Sequence, residues 1–296
     1  MLDEKKLKIM QEKPGFIAAL DESIRRTPSA LRSYGIPDET YHTNQEMLDL
    51  IHDMRYRIMA SSDFDSEHII ATILYKDTLK RTIQRVNTCE YLLEKKGIIP
   101  FLKIDQGQEP VMNGVQLMKE ITDFDELMDL AKANKIFGTK SHSIILSANK
   151  MGIKEAVDQQ FDLARKVLDN GLLPIIEPEV DIHSPEKEQS EAILKEELLG
   201  HLNQMNPDQK VILELSLPSI PDFYEELLSH PNVVRVVASS GGYKKAEADK
   251  KLSQNHGMIA SFSRALEEGL AYQETDMEFD FALRESIQSI FDASIQ

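Results

Sequence analysis

The chain is short of cysteine, of basic residues and of long apolar runs, and each shortage excludes a class of protein. One cysteine, Cys89, stands among 296 residues, so no intramolecular disulfide can form and a reducing compartment is expected. Lysine and arginine number 34 against 50 aspartate and glutamate, a formal net charge of −16. That surplus argues against a nucleic-acid backbone or an anionic membrane as the general partner. It leaves room for a small phosphate held by local basic residues. No stretch approaches the roughly 18 apolar residues of a membrane span. Met1 to Lys13 mixes acids and lysines without an apolar core, so no signal peptide is expected. The expectation is a cytoplasmic protein. Also missing are a Pro/Gly/Ser-rich linker, a low-complexity run, a short repeat and a Gly-x-Gly-x-x-Gly after the first apolar run. The eight histidines show no Ser/His/Asp or His-x-x-x-His spacing, so neither a metal nor a cofactor is expected. Nothing in the pattern specifies monomer or homo-oligomer.

What the chain does have is ordinary globular composition, 41% hydrophobic and 28% charged, laid out as an alternation. Strand-like runs are read at residues 15–21, 68–75, 98–105, 136–141, 173–180, 210–218, 233–240 and 258–263. Between them lie helix patterns. Thr43-Asn-Gln-Glu46 forms a capping box that opens a helix with Met47, Leu50, Ile51, Met54 and Ile58 on one face. Ile153, Val157, Phe161, Ala164 and Leu168 mark another, ended by Gly171. Ser184-Pro185 reads as the cap and first position of a third, whose acidic Glu186–Glu197 stretch is expected to be a solvated face. Helices are also read at residues 2–13, 88–96, 124–135, 221–228, 244–252 and 276–293. Eight parallel strands with right-handed crossovers close most simply into an α/β TIM (β/α)8 barrel, read as one domain over residues 1–296 with a short N-terminal helix.

In such a barrel the working residues sit at the carboxyl ends of the strands. Charged residues are dense there: Asp21, Lys103, Lys140, Glu177, Glu179 and Glu214. Lysines and carboxylates packed together shift one another's pKa values, which suits proton transfer and carbonyl chemistry. Glu214 is the least expected, because Lys210-Val-Ile-Leu-Glu-Leu-Ser-Leu-Pro218 otherwise reads as a strand buried on both faces. Its carboxylate shares a face with Ile212 and Ser216, and a buried carboxylate needs a partner. Ser240-Gly241-Gly242 and Arg264, after the last two strands, fit a phosphate site of backbone N–H groups and a planar cation.

Several stretches resemble one family. Ala19-Leu-Asp-Glu-Ser23, Phe101-Leu-Lys-Ile-Asp105, Gly138-Thr-Lys140, Ile176-Glu-Pro-Glu-Val180, Ser240-Gly-Gly242 and Ala260-Ser-Phe-Ser-Arg-Ala-Leu266 are similar, in order, to class I fructose-bisphosphate aldolase in its short bacterial form. Asn113-Gly-Val-Gln116 adds to the match, which runs from about Gly15 to the C-terminus. The resemblance implies a lyase of glycolysis acting through a Schiff base. It assigns proton transfer to Asp21, substrate hydroxyl and phosphate contacts to Lys103 and Lys140, and acid–base work during imine formation to Glu177. The phosphate nearest the carbonyl falls to Ser240, Gly241, Gly242 and Arg264. Ser23 and Arg25 are further ligand candidates.

Three places depart from the family pattern. The imine-forming lysine of strand six is here Glu214, which has no amine. The neighbouring Lys210 lies about 13 Å away along an extended strand. The glycine-containing loop after the first strand is Ile24-Arg25-Arg26, and the arginine two residues beyond the strand-four lysine is His142. The expectation is therefore an aldolase-like protein that keeps a phosphorylated sugar or triose as ligand while aldol cleavage is lost or impaired. The alternative is an active aldolase that forms its imine on Lys140, the strand used by transaldolase-like barrels. A lesser alternative is metal-assisted chemistry by Asp21, Glu177, Glu214 and His142.

Overall fold

A computed structural model describes residues 2–296. Eight parallel strands form its centre: β1 (Phe16–Leu20), β2 (Ile69–Leu74), β3 (Ile99–Lys103), β4 (Gly138–Ile145), β5 (Leu173–Val180), β6 (Val211–Ser216), β7 (Val233–Ser239) and β8 (Ile259–Phe262). Each pairs with its neighbour in sequence, and β1 pairs with β8, so the sheet closes on itself. The expected closed α/β barrel is the observed fold. A two-residue strand, Val115–Gln116, adds antiparallel to the far end of β4.

Alternation within the strands sorts the apolar residues into two cores. Ile17, Ala19, Ala71, Ile73, Phe101, Ile175, Ile212 and Val237 fill the barrel, while Ala18, Leu20, Leu102, Leu213, Leu215 and Val236 meet the surrounding helices. Both faces are therefore buried, which is why these strands lack a polar alternation. Met10 of the N-terminal helix (Glu4–Glu12) joins the inner core, and Arg235 ties that helix down through the Met10 and Lys13 carbonyls. Inside the barrel, Gly138 is required by packing. A Cβ there would lie 2.0 Å from the Leu173 carbonyl oxygen and 2.5 Å from the Phe101 ring.

The capping box at Thr43 and Glu46 starts the helix Asn44–Ala60 as read, with Met47, Ile51, Met54 and Ile58 buried. Three local readings are corrected. The helix after β5 begins at Lys187 without a side-chain cap, because Ser184 Oγ accepts only from the Glu186 N–H in the preceding turn. Its acidic stretch is not wholly solvated. Glu191 is 1% exposed and takes an ion pair from Lys187, whose ammonium also reaches the Leu217 carbonyl. Finally, β4 runs to Ile145 rather than ending at Ser141, because it stays paired with β5 as far as Ile145 opposite Val180, with its outward Ser141 and Ser143 satisfied by Gln160 of the helix Lys150–Asp169. Among the described residues no helix is long and apolar enough to cross a membrane.

Candidate active site

The carboxyl ends of the strands open into a cavity of about 770 Å³. Asp21, Lys103, Lys140, Glu177 and Glu214 all line it, although they come from stretches spread over nearly 200 residues. The barrel register explains the convergence, since Lys103 stands directly opposite Lys140, and His142 opposite Glu177.

Glu214 is 1% exposed and points inward with Ile212, as the alternation of β6 requires. Lys210 lies at the opposite end of the strand, its ammonium held by the Pro207 and Pro231 carbonyls. Lys140 Nζ donates to Glu214 Oε1 at 2.8 Å and lies 3.1 Å from Glu177 Oε2 and 3.5 Å from Asp21 Oδ2. Lys103 Nζ lies 3.5 Å from the same Asp21 oxygen and 3.7 Å from Asp105 Oδ2. Two ammoniums thus share four buried acidic side chains.

The charges set the protonation of the mouth. Burial draws the Lys140 ammonium down, but Asp21, Glu177 and Glu214 override it and hold Lys140 well above its ordinary value. Lys103 is raised in the same way, by Asp105 and Asp21 against burial. Burial works to raise Asp21, yet Lys140 and Lys103 hold it well below the usual carboxylate range. Glu214 goes the other way. Burial, helped by the neighbouring Glu177 charge, outweighs the Lys140 contact and pushes it up to about 8.

A second group surrounds Glu179. Burial favours its neutral form, but the His142 hydrogen bond and the Arg26 and Arg264 charges bring it down to about 2. His142, Glu177 and Glu179 can each bring one donor atom within 4.8 Å of the others, a set that overlaps the Asp21, Glu177, Glu214 and His142 combination only in part. The hydrogen bonds oppose its use for a metal. Gln108 Nε2 donates both to the His142 carbonyl and to His142 Nδ1, each at 3.2 Å. The ring proton inferred from these partners is on Nε2, 2.5 Å from Glu179 Oε2. A metal at Nε2 needs the other tautomer and a rotated Gln108.

At the far rim, Gly241 and Gly242 adopt φ of 59° and 113°, a left-handed turn that a side chain would strain. Ser240, both glycines and Arg264 line the cavity, and the Cβ position of Gly242 is 3.5 Å from Arg264 Nη2. Ser23 and Arg25 are not on the cavity wall, whereas Arg26 is. Arg55 was overlooked in the sequence because it sits in a helix with exposed charged neighbours. It is 1% exposed and donates to Glu22 Oε2 at 2.9 Å beneath the mouth. Gln108 and Gln160 were also missed, and neither carries a sequence signal.

The profile of the family described as fructose-bisphosphate aldolase class-I matches residues 2–220. Proteins named fructose-bisphosphate aldolase class 1 are similar over their whole length. The one from Clostridium acetobutylicum is 50% identical, over 99% of this chain and 100% of its own. That from Synechocystis is 51% identical, over 99% and 98%, and that from Porphyromonas gingivalis 46%, over 100% of both chains. The chain belongs to the class I fructose-bisphosphate aldolase family.

The barrel of this aldolase-family protein also matches a solved structure, the fructose-bisphosphate aldolase from Plasmodium falciparum in complex with TRAP and a small-molecule inhibitor. The TM-score is 0.77 at 17% identity, covering 99% of this chain and 94% of that one, a likeness of fold. Within the family frame, the residues that the resemblance assigned to acid–base work and to phosphate occupy one continuous cavity.

Proposed function

We propose that this aldolase-family protein binds a phosphorylated triose or sugar in the barrel mouth, with aldol cleavage lost or strongly reduced. The supporting observation is the pair Lys140–Glu214. Where the family resemblance expects an imine-forming amine on strand six, a carboxyl accepts a hydrogen bond from the strand-four ammonium at 2.8 Å. An amine attacks a ketone only when unprotonated, and Glu214 has no amine to offer. Ser240, Gly241, Gly242 and Arg264 supply backbone donors and a planar cation for the phosphate. Titration calorimetry with dihydroxyacetone phosphate and with fructose 1,6-bisphosphate, beside a cleavage assay, tests the reading. Binding that Arg264→Ala weakens, with little or no turnover, is expected. Absence of binding for both ligands sinks it.

The names of the relatives at about 50% identity favour a second reading, an active aldolase that uses Lys140 as its imine-forming amine. Against it stand the acidic groups around Lys140, Asp21 and Glu177 foremost, which hold its ammonium well above the ordinary value. Borohydride reduction in the presence of dihydroxyacetone phosphate, followed by peptide mass mapping, separates the two. A reduced adduct on Lys140 establishes the second reading, and an unlabelled chain removes it.

A further inference from the structure

Asp21, Glu177 and Glu214 face one ammonium, Lys140 Nζ, and the set is short of donors. Glu214 Oε1 takes the Lys140 hydrogen bond, but Glu214 Oε2 is buried with no hydrogen-bond partner, as is Asp21 Oδ2. Both residues line the same cavity as Ser240, Gly242 and Arg264. Unpartnered buried oxygens are costly, and an α-hydroxyketone answers both, its hydroxyl donating to Asp21 Oδ2 and its carbonyl oxygen lying against Glu214 Oε2. The carbonyl oxygen can accept from Lys140 and from a proton on Glu214, while Glu177 Oε2 stands 3.1 Å from the same ammonium. A fixed, buried ammonium beside a developing oxyanion favours enolate formation.

Resting on the proposed binding of a phosphorylated carbonyl compound, we infer that this mouth catalyses keto–enol proton exchange on a phosphorylated α-hydroxyketone by acid–base chemistry alone, with Glu177 as base and Glu214 as proton donor. The Glu177 carboxylate takes a proton from the carbon next to the ketone. The C–H electron pair forms the carbon–carbon double bond, and the carbonyl π pair moves to oxygen. That oxygen receives the Glu214 carboxyl proton, giving a neutral enediol and a Glu214 carboxylate facing Lys140. Reversal restores the ketone, with solvent hydrogen returned from Glu177. No bond between protein and ligand forms.

The test is proton NMR of dihydroxyacetone phosphate in D2O with the full chain, alongside calorimetry with the same ligand. The expected result is binding and loss of carbon-bound hydrogen above the buffer rate, without a borohydride-reducible adduct. Glu177→Gln should bind and exchange about a hundredfold more slowly. Glu214→Gln keeps a donor but cannot release a proton, and should slow exchange by about tenfold or more. Glu214→Leu, similar in bulk, should exchange at the buffer rate while still binding. Binding without exchange overturns this inference and leaves the proposed ligand class standing. No binding overturns both. Exchange accompanied by a reduced lysine, or exchange unchanged in Glu214→Leu, overturns the acid–base route.

Discussion

Lys140 Nζ and Glu214 Oε1, on strands that are not neighbours in the sheet, meet at 2.8 Å inside the barrel. Each is nearly without solvent, at 4% and 1% exposure, so each depends on the other and on the carboxylates nearby. Breaking a buried pair by removing one member leaves an uncompensated polar or charged group. Lys140→Met should destabilise the fold by about 3–5 kcal/mol, since Asp21, Glu177 and Glu214 all lose their shared cation. The double variant Lys140→Met/Glu214→Leu should cost less than the sum of the two single changes. Urea unfolding of the four proteins measures the coupling, and strict additivity would contradict a shared network.

Glu214 also makes stability depend on pH. Its carboxyl rises from an ordinary 4.5 to about 8 in the fold, so between those values the folded chain holds a proton that the unfolded chain releases. Stability contributed by this group is present below about 4.5 and declines as pH rises towards 8. Asp21, held low, acts in the opposite sense, and its contribution declines only as pH falls below the ordinary 3.8. Melting temperatures of the parent and Glu214→Gln should therefore diverge between pH 5 and 8, the glutamine variant falling less. Parallel curves would show that Glu214 titrates at its ordinary value.

Two neighbouring arginines should behave differently. Arg26 lines the cavity and Arg25 does not. A charge-assisted hydrogen bond to phosphate is worth roughly 1.5–3 kcal/mol, so Arg26→Ala and Arg264→Ala should each weaken dihydroxyacetone phosphate binding by about ten- to a hundredfold. Arg25→Ala should leave it unchanged. Calorimetry on the three variants checks this, and equal losses at Arg25 and Arg26 would contradict the placement of the loop.

The glycine turn is a further point of sensitivity. A Cβ on Gly241 would lie 2.6 Å from Ile182 Cγ2 at a φ of 59°. Gly241→Ala should lower stability by about 1–3 kcal/mol and reduce phosphate binding by displacing the backbone donors. Chemical unfolding and calorimetry on one preparation read both effects.

Restoring an amine on strand six is the converse experiment. Glu214→Lys places a second ammonium beside Lys140, and like charges lower each other's pKa. The variant should gain fructose 1,6-bisphosphate cleavage and a borohydride-reducible adduct at residue 214. Should it stay inert, the Ile24-Arg25-Arg26 loop and His142 are as limiting as Glu214, and the combined variant with a glycine-rich loop becomes the informative one.

Strand and helix order was legible in the chain because barrel strands buried on both faces leave uninterrupted apolar runs, and helices announce themselves by caps such as Thr43 and by apolar spacing. Where local rules failed, tertiary contacts had intervened. Pairing with β5 carried β4 on to Ile145 while Gln160 satisfied its Ser141 and Ser143, and the Lys187–Glu191 pair buried an acidic turn that composition marked as solvated. Arg55 is charged among charged neighbours, and nothing local distinguishes it from a surface residue until β1 brings Glu22 above it.

By itself the sequence determined the barrel, from the alternation of eight strands with helices, and the inward direction of Glu214 and the set of charged strand ends, from the periodicity along single strands. Only the tertiary structure decided which charges meet. Lys140 faces three acidic side chains, Arg26 rather than Arg25 reaches the cavity, and Gln108 orients the His142 ring, since such distances depend on how separate strands register around the barrel and not on any spacing within the chain.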